Sequence, residues 1–451
     1  MNSIDTLRRY GLFDARVPRY TSYPPANHFM NAVGQRHQAD WLRAVAKGTD
    51  VSVYVHIPFC KRLCWFCACR TQGTKTLRPV DAYVAVLLKE IDTVRRTLPQ
   101  GVRMARLHLG GGTPTILSPE TMTTLLNALF SAFGRSADFE FSVEIDPTEA
   151  SDLLLQTLIG FGMNRASIGV QDFAPDVQKA IGREQSLAQT QHVIDLLRVQ
   201  SVASLNLDLL YGLPHQTAQS FGETLAHVAQ MRPDRLAIYG YAHVPWMSKR
   251  QIMIKTKDLP NNESRFALAE QARTAFVRQG YTPIGIDHFA LPTDSLSKAA
   301  EAGTLRRNFQ GYTDDQSTTL IGLGASAISR FPEGYVQNAP ATSAYQERVG
   351  SSGLAANKGY VMSTQDSLIA KIVEDLMCRF VFDEQALCTA FPDDAGLIHQ
   401  TGVSLMNRFG DVFFISQSGL ELRKDARPLV RVIASFVDTF TSESMSHSAA
   451  I

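Results

Sequence analysis

From about residue 51 to about residue 330, short apolar, β-branched runs alternate with amphipathic stretches of helical length. The runs at 51–57, 104–109, 139–145, 165–170, 205–210, 236–241 and 318–321 predict strands, with a weaker candidate at 283–287. Between them the spacing predicts helices such as 80–97 and 119–133, the second opened by Ser118 as N-cap with Glu120 in its first turn. Strands separated by helices imply parallel βαβ units with right-handed crossovers. The economical α/β architecture over 51–330 is therefore a full or partial (β/α) barrel, with chemistry at the C-terminal strand ends. Residues 331–365 lose periodicity and are rich in Gly, Ser, Ala and Asn, which reads as a connecting segment. A helical pattern resumes at 366–380, and 366–451 is expected to form a small, mostly helical domain ending in the polar tail SESMSHSAAI.

Composition narrows the class. Hydrophobic residues at 45% and charged residues at 19% describe a soluble globular chain, and Lys+Arg 44 against Asp+Glu 43 leaves it near neutral. Nothing in that balance points to nucleic acid, although a local basic pocket for an acidic small molecule is compatible with it. The N-terminus MNSIDTLRRYGLFDARVPRY lacks a secretory pattern, and no apolar run reaches roughly 18 residues, so a cytoplasmic protein away from the membrane is expected.

Unusual residues accumulate after the strand candidates: GGGTPT (110–115), Glu144 with Asp146, Gln171 with Asp172, Asp208, and YGYAHVP (239–245). Any one of these carboxylates alone reads equally well as structure. The first strand is followed by Cys60, Cys64, Cys67 and Cys69, four of the six cysteines, while Cys378 and Cys388 read as ordinary buried thiols. In a reducing compartment such a cluster favours metal binding or catalysis over disulfides. Zinc is disfavoured because no second ligand pair follows at a suitable distance. The formal Cys64-Trp65-Phe66-Cys67 redox motif lacks its usual context. Three thiolates on one short loop suit an iron–sulfur cluster whose fourth iron stays open to a small molecule.

CxxxCxxC after the first strand, with GGGTP after the second, closely resembles the radical S-adenosylmethionine superfamily. Within it, PRYTSYPP (18–25), HIPFCKRLCWFCAC (56–69), EIDP, GVQDF, GREQ, LDLLYGLPHQT, YAHVP, GIDHFA and NFQGYT resemble the oxygen-independent coproporphyrinogen III oxidase family. The resemblance implies a partial barrel, an N-terminal arm (1–50) folded across its opening, one four-iron, four-sulfur (4Fe-4S) cluster and two bound S-adenosylmethionine molecules. Its cluster ligands match Cys60, Cys64 and Cys67. Cys69 matches a further family cysteine that is not a ligand, for which proton donation, shielding and packing all stay open. The first S-adenosylmethionine site matches Tyr54, Gly111, Glu144 and Ile328. The second matches Gly112, Thr113, Gln171, Arg183, Asp208 and Ala242. His56 is a candidate for the cluster surroundings or for simple hydrogen-bonded structure, Tyr20 and Tyr23 are expected near the mouth, and Trp65 and Phe66 are expected to shield the cluster.

The reaction implied is oxidative decarboxylation of two propionates of coproporphyrinogen III to vinyl groups, through a 5′-deoxyadenosyl radical. An electron donor such as flavodoxin or ferredoxin is required, and a monomer is expected. The substrate carboxylates call for Arg or Lys at the barrel mouth, which the sequence does not select. Competing readings are a radical methyltransferase or cyclopropanase sharing the two-cofactor core, and a haem chaperone of the same family. PRYTSYPP and the CxC extension favour the oxidase.

Overall fold

The computed structural model describes residues 3–440 and 450–451. One twelve-stranded sheet organises the chain. Its strands are β1 (Asp50–Ile57), β2 (Arg103–Gly111), β3 (Gly134–Ile145), β4 (Arg165–Gln171), β5 (Ser204–Tyr211), β6 (Arg235–Gly240), β7 (Thr282–Ile284), β8 (His288–Ala290), β9 (Leu320–Leu323), β10 (Ile328–Phe331), β11 (Gly334–Asn338) and β12 (Ala356–Val361). The spatial order is β12-β11-β10-β9-β1-β2-β3-β4-β5-β6-β8-β7, and the run from β9 to β6 is parallel. The two edges do not pair with each other, so the sheet is an open, partial barrel.

Helices α1 (Arg78–Thr97), α2 (Pro119–Ala132), α3 (Asp152–Gly160), α4 (Leu187–Val199) and α5 (Ala218–Met231) connect the parallel strands. Their boundaries follow local chemistry. Ser118, Ser151, Ser186 and Thr217 each accept the N3 amide at a helix start, and Pro stands in the first turn of α1 and α2. Their apolar faces and one face of the sheet form the main core, in which Val51, Leu107, Val143, Ile168 and Leu207 are fully buried.

Along the strands the alternate residues turn inward and are polar. Register places Ser52 beside Arg106 and Arg106 beside Glu140, Tyr54 beside His108 and His108 beside Ser142, and Gly169 beside Asp208. A barrel filled with branched apolar side chains would have no space inside; this one is lined for polar contents. At the N-terminal strand ends Arg165 pairs with Glu140 at 3.2 Å and Arg235 with Asp294 at 2.6 Å, and these pairs form a charged floor.

Residues 331–365, expected as a connecting segment, instead hold β11, a helix at Thr342–Ser352 and β12, which extend the sheet by antiparallel pairing. In β11 the pattern of buried and partly exposed residues alternates strictly, but five residues are too few to stand out among neighbouring glycines and serines. The weak candidate at 283–287 is a hairpin, β7 and β8, turning through Gly285–Asp287. The strand expected at 318–321 begins two residues later as β9.

Beyond the sheet, Thr364–Arg379 starts a helical unit through a capping box between Ser363 and Asp366. That unit also contains a three-stranded sheet of Val381–Asp383, Gly419–Leu422 and Phe413–Ile415. It shares a second core with the arm, where Leu7, Leu12, Tyr20 and Tyr23 pack against Leu376, Ile398 and Ile433. Of the tail SESMSHSAAI, 442–449 lie outside the described residues; Ala450 and Ile451 are buried, with the Ala450 amide donating to Ala15 O at 2.8 Å.

Candidate active site

The loop after β1 is fixed on three sides. Gly112 N–H donates to Ile57 O and Thr113 N–H to Phe59 O, both at 2.8 Å, which ties the glycine triplet to the cysteine loop. A Cβ on Gly112 would stand 2.6 Å from Phe59 O, so only glycine permits this approach. From the second side, Trp65 N–H donates to Ile181 O at 2.9 Å, and the indole lies on Gly182, whose φ of +65° and closeness to the ring both exclude a side chain. From the third side comes segment 242–253. Gln251 Nε2 donates to Phe66 O at 2.8 Å and to Ala242 O at 3.0 Å, and Ser248 Oγ donates to Cys67 O at 3.0 Å.

So held, Cys60, Cys64, Cys67 and Cys69 all line a cavity of about 610 Å³ at the C-terminal ends of the strands. Gly111, Gly112, Thr113, Glu144, Gln171, Arg183, Asp208 and Ala242 line the same cavity. Tyr54 and Ile328 do not. Tyr54 lies behind the lining, its ring stacked on His108 at 5.8 Å and its hydroxyl 2.9 Å from His56 Nδ1. Ile328 lines a second cavity of about 430 Å³ between the arm, the barrel end and the C-terminal unit. Thr21, Arg307 and Phe309 belong to both cavities, which are therefore neighbours.

All six cysteines are free thiols. Burial pushes the Cys60 thiol up to about 11 and raises Cys64, where the Arg183 charge opposes it. Cys67 is held down to about 6, first by its hydrogen bond with Cys69, whose own thiol rises well above the ordinary value for the same reason. The Cys69 amide also faces Cys67 Sγ at 3.4 Å. Among the described residues no three His, Cys, Asp or Glu side chains converge on one ion. Ligands of a cluster bind separate irons and need no common point, so soft thiols on one loop with an adjacent amide and guanidinium fit an iron–sulfur cluster.

Around the thiols the electrostatics divide. Glu144 would be pushed up by burial, but His108 at 3.3 Å and the Gly111 amide at 3.0 Å hold it below the usual carboxylate range. Asp208 is raised by burial, although Ser167 Oγ and Asn206 Nδ2 each donate to it at 2.8 Å. Arg183 is buried, paired to Asp146 at 2.9 Å and bonded to Gly169 O at 2.9 Å, and its Nη1 is 3.8 Å from Cys64 Sγ. Its Nε is buried with no hydrogen bond. Gln171 sits at φ +70°, a strained conformation that sets the side chain beside Gly169 and Arg183.

Several lining residues carried no sequence expectation: Arg19, Arg106, His108, Ser167, Asn206, Arg235, Arg250, His288 and Arg307. Those on strands could have been found from the period-two alternation of polar residues in RLHL, RASIGVQ and NLDLL. In the arm, Arg19 and Thr21 face the cavity, and Arg19 Nη2 donates to Gly240 O at 2.7 Å. Tyr20 and Tyr23 line the neighbouring second cavity, their hydroxyls hydrogen-bonding Asp438 and Thr439 at 2.9 Å each.

Comparison with known proteins identifies the family. Residues 54–228 match the Radical SAM superfamily model. The chain is similar to the oxygen-independent coproporphyrinogen III oxidase of Paracoccus denitrificans, 49% identical over 451 residues and the whole of both chains. It is similar to the Escherichia coli protein of that name, 36% identical over 433 residues, covering 94% of this chain and 93% of that one. The solved structure of Escherichia coli coproporphyrinogen III oxidase, described as a radical SAM enzyme, superposes with a TM-score of 0.90 at 33% identity, covering 95% of this chain and all of the other. The chain thus belongs to the oxygen-independent coproporphyrinogen III oxidases of the radical S-adenosylmethionine superfamily.

Proposed function

We propose that the chain converts coproporphyrinogen III to protoporphyrinogen IX without oxygen, turning two propionate side chains into vinyl groups with release of two carbon dioxide molecules. The observation that carries this reading is full-length identity of 49% to the Paracoccus oxidase, with all four loop cysteines on one cavity. When bound, the 4Fe-4S cluster and S-adenosylmethionine would supply the radical chemistry that this oxidative decarboxylation requires.

The chain's own groups bind and orient. Cys60, Cys64 and Cys67 would hold three irons of the cluster, and the Cys69 amide donates to the Cys67 sulfur, a contact that would tune its potential. Glu144, kept ionised by His108 and Gly111, suits the ammonium group of the first S-adenosylmethionine. Gly111, whose missing Cβ admits the His56 ring, lends its amide to Glu144, with Tyr54 behind the lining and Ile328 in the adjoining cavity. For a second S-adenosylmethionine, Arg183 supplies a cation on the wall for the carboxylate and Asp208 accepts from a ribose hydroxyl, while Gly112, Thr113, Gln171 and Ala242 complete the wall. For the substrate, Arg307 is the mouth arginine best placed to meet a propionate: its Nε and Nη1 are buried with no hydrogen bond, at the junction of the two cavities.

Reduction falls to a small one-electron carrier such as flavodoxin or ferredoxin. A monomer is the oligomeric state taken for this reading, and no helix among the described residues is long and apolar enough to cross a membrane. Four free thiols on a partly exposed loop suit the reducing cytoplasm.

The test is anaerobic incubation of the reconstituted protein with coproporphyrinogen III, S-adenosylmethionine and a reductant. Vinyl products with carbon dioxide support the reading; a methylated product, or stable haem binding without turnover, sinks it. With Cys64→Ser as control, loss of iron and full activity cannot occur together.

A further inference from the structure

The surface around the cysteine loop differs from the rest of the molecule. Although the chain is almost neutral, residues 59–80 carry Lys61, Arg62, Arg70, Lys75 and Arg78, and 242–257 carry Lys249, Arg250, Lys255 and Lys257, with no acidic residue in either stretch. These two stretches are the ones clamped together by Gln251 and Ser248, and Arg250 Nη1 adds a bond to Thr71 Oγ1 at 2.8 Å. Within eight residues of the second stretch, Trp246, Met247, Ile252 and Met253 are exposed by 53%, 64%, 67% and 58%. Single exposed apolar residues need no explanation, but four within one short basic stretch, clamped to a second basic stretch, mark an interaction surface.

The position of the patch narrows its partner. Ser248, between Met247 and Lys249, hydrogen-bonds the carbonyl of Cys67, so one side-chain contact separates the exposed surface from a cluster ligand. A polyanion would use the charge and leave the apolar centre unpaired. A folded protein with an acidic rim and an apolar contact uses both.

We propose that this face docks an acidic one-electron carrier protein of the flavin or iron–sulfur type, whose electron enters the cluster beside Ser248 and Cys67. In that step the carrier loses one electron and the cluster gains it, with no bond made or broken. The proposal rests on the cluster reading above. Small, transient interfaces of this kind are usual for electron-transfer encounters.

The experiment compares reconstituted wild type with Lys255→Glu/Lys257→Glu and with Ile252→Glu/Met253→Glu, all four positions being exposed and outside the cavity lining. Cluster reduction is followed anaerobically by absorbance, with reduced flavodoxin or with dithionite, and flavodoxin binding is measured separately by surface plasmon resonance. The expected result is that reduction by flavodoxin slows about tenfold or more in each variant, with binding weakened in parallel and by added salt. Dithionite, which needs no docking face, reduces all three proteins at the same rate. Equal flavodoxin rates overturn the proposal. So does slowing with both reductants, which would make the segment a clamp for the cysteine loop only, or a wild-type dimer dissolved by Ile252→Glu/Met253→Glu. If dithionite reduces no cluster in the wild type, the cluster reading itself falls, and the docking face with it.

Discussion

Replacing Arg183 separates two roles that the structure places on one side chain. Its guanidinium neutralises Asp146, whose side chain is 11% exposed, and it belongs to the cavity wall with its Nε buried and free of any hydrogen bond. Arg183→Gln leaves Asp146 Oδ2 buried without its cation, while Oδ1 keeps Thr148 as donor at 2.9 and 2.8 Å. Breaking one side of a buried pair costs about 3–5 kcal/mol. Adding Asp146→Asn removes the stranded charge and is expected to recover most of that stability.

Ligand binding should not recover with it. A charge-assisted hydrogen bond contributes about 1.5–3 kcal/mol, which corresponds to about ten- to hundredfold in affinity. Anaerobic equilibrium dialysis with labelled S-adenosylmethionine, run beside denaturant titration and iron analysis, reads both effects. Wild type should bind two equivalents; the double variant should be nearly as stable and hold its iron, yet retain only the equivalent on the cluster. If it binds two equivalents with wild-type affinity, Arg183 is a structural partner of Asp146 and the second site lies elsewhere.

Four further outcomes follow from named contacts. Glu90, fully buried with Tyr345, Gly324 and Asn338 each donating at 2.7 Å, is pushed up to about 7 by burial. Between the ordinary carboxylate range and pH 7 the folded chain keeps a proton that the unfolded chain has lost, so stability should fall by about 3 kcal/mol as pH rises across that window. Urea midpoints at both ends, against a flat Glu90→Gln profile, check it. Cys69→Ser should keep its iron whereas Cys64→Ser loses it, read by iron and sulfide content. Gly112→Ala should destabilise by about 1–3 kcal/mol because the new methyl meets two backbone carbonyls of the cysteine loop, and thermal melts with iron analysis test this. Arg307→Gln should raise KM for coproporphyrinogen about tenfold while leaving substrate-free cleavage of S-adenosylmethionine unchanged, as steady-state assays would show.

The parallel strands were legible because the face packed on the helices is buried throughout, which repeats branched apolar residues at every second position, and in VSVYVHI both faces are buried. The antiparallel extension was not. β10, β11 and β12 are four to six residues long, and they are fixed by pairing with strands already in place rather than by any strong run of their own. The three short strands of the C-terminal unit escaped for the same reason. The arm's path was legible only in outline. Which of Arg19, Tyr20, Thr21 and Tyr23 faces the cavity depends on Asp438 and Thr439, more than 400 positions away in the chain.

The site shows the same division between local and tertiary causes. Cys60, Cys64 and Cys67 announce themselves because one loop carries them all, and Gly112 because its absent Cβ is needed for that loop to pass. Arg183 is different: nothing local distinguishes it from a surface arginine, and its burial is a consequence of Trp65. That indole leaves the cysteine loop to lie on Gly182, which pulls the next residue under the loop and turns its guanidinium toward Cys64. A bulky residue at 182 would lift Trp65, release Arg183 toward solvent and expose Asp146, without touching a ligand. The cluster loop and the second cofactor wall are thus packed together at Gly182, and a bulky substitution at that one position should disturb iron retention as well as S-adenosylmethionine binding.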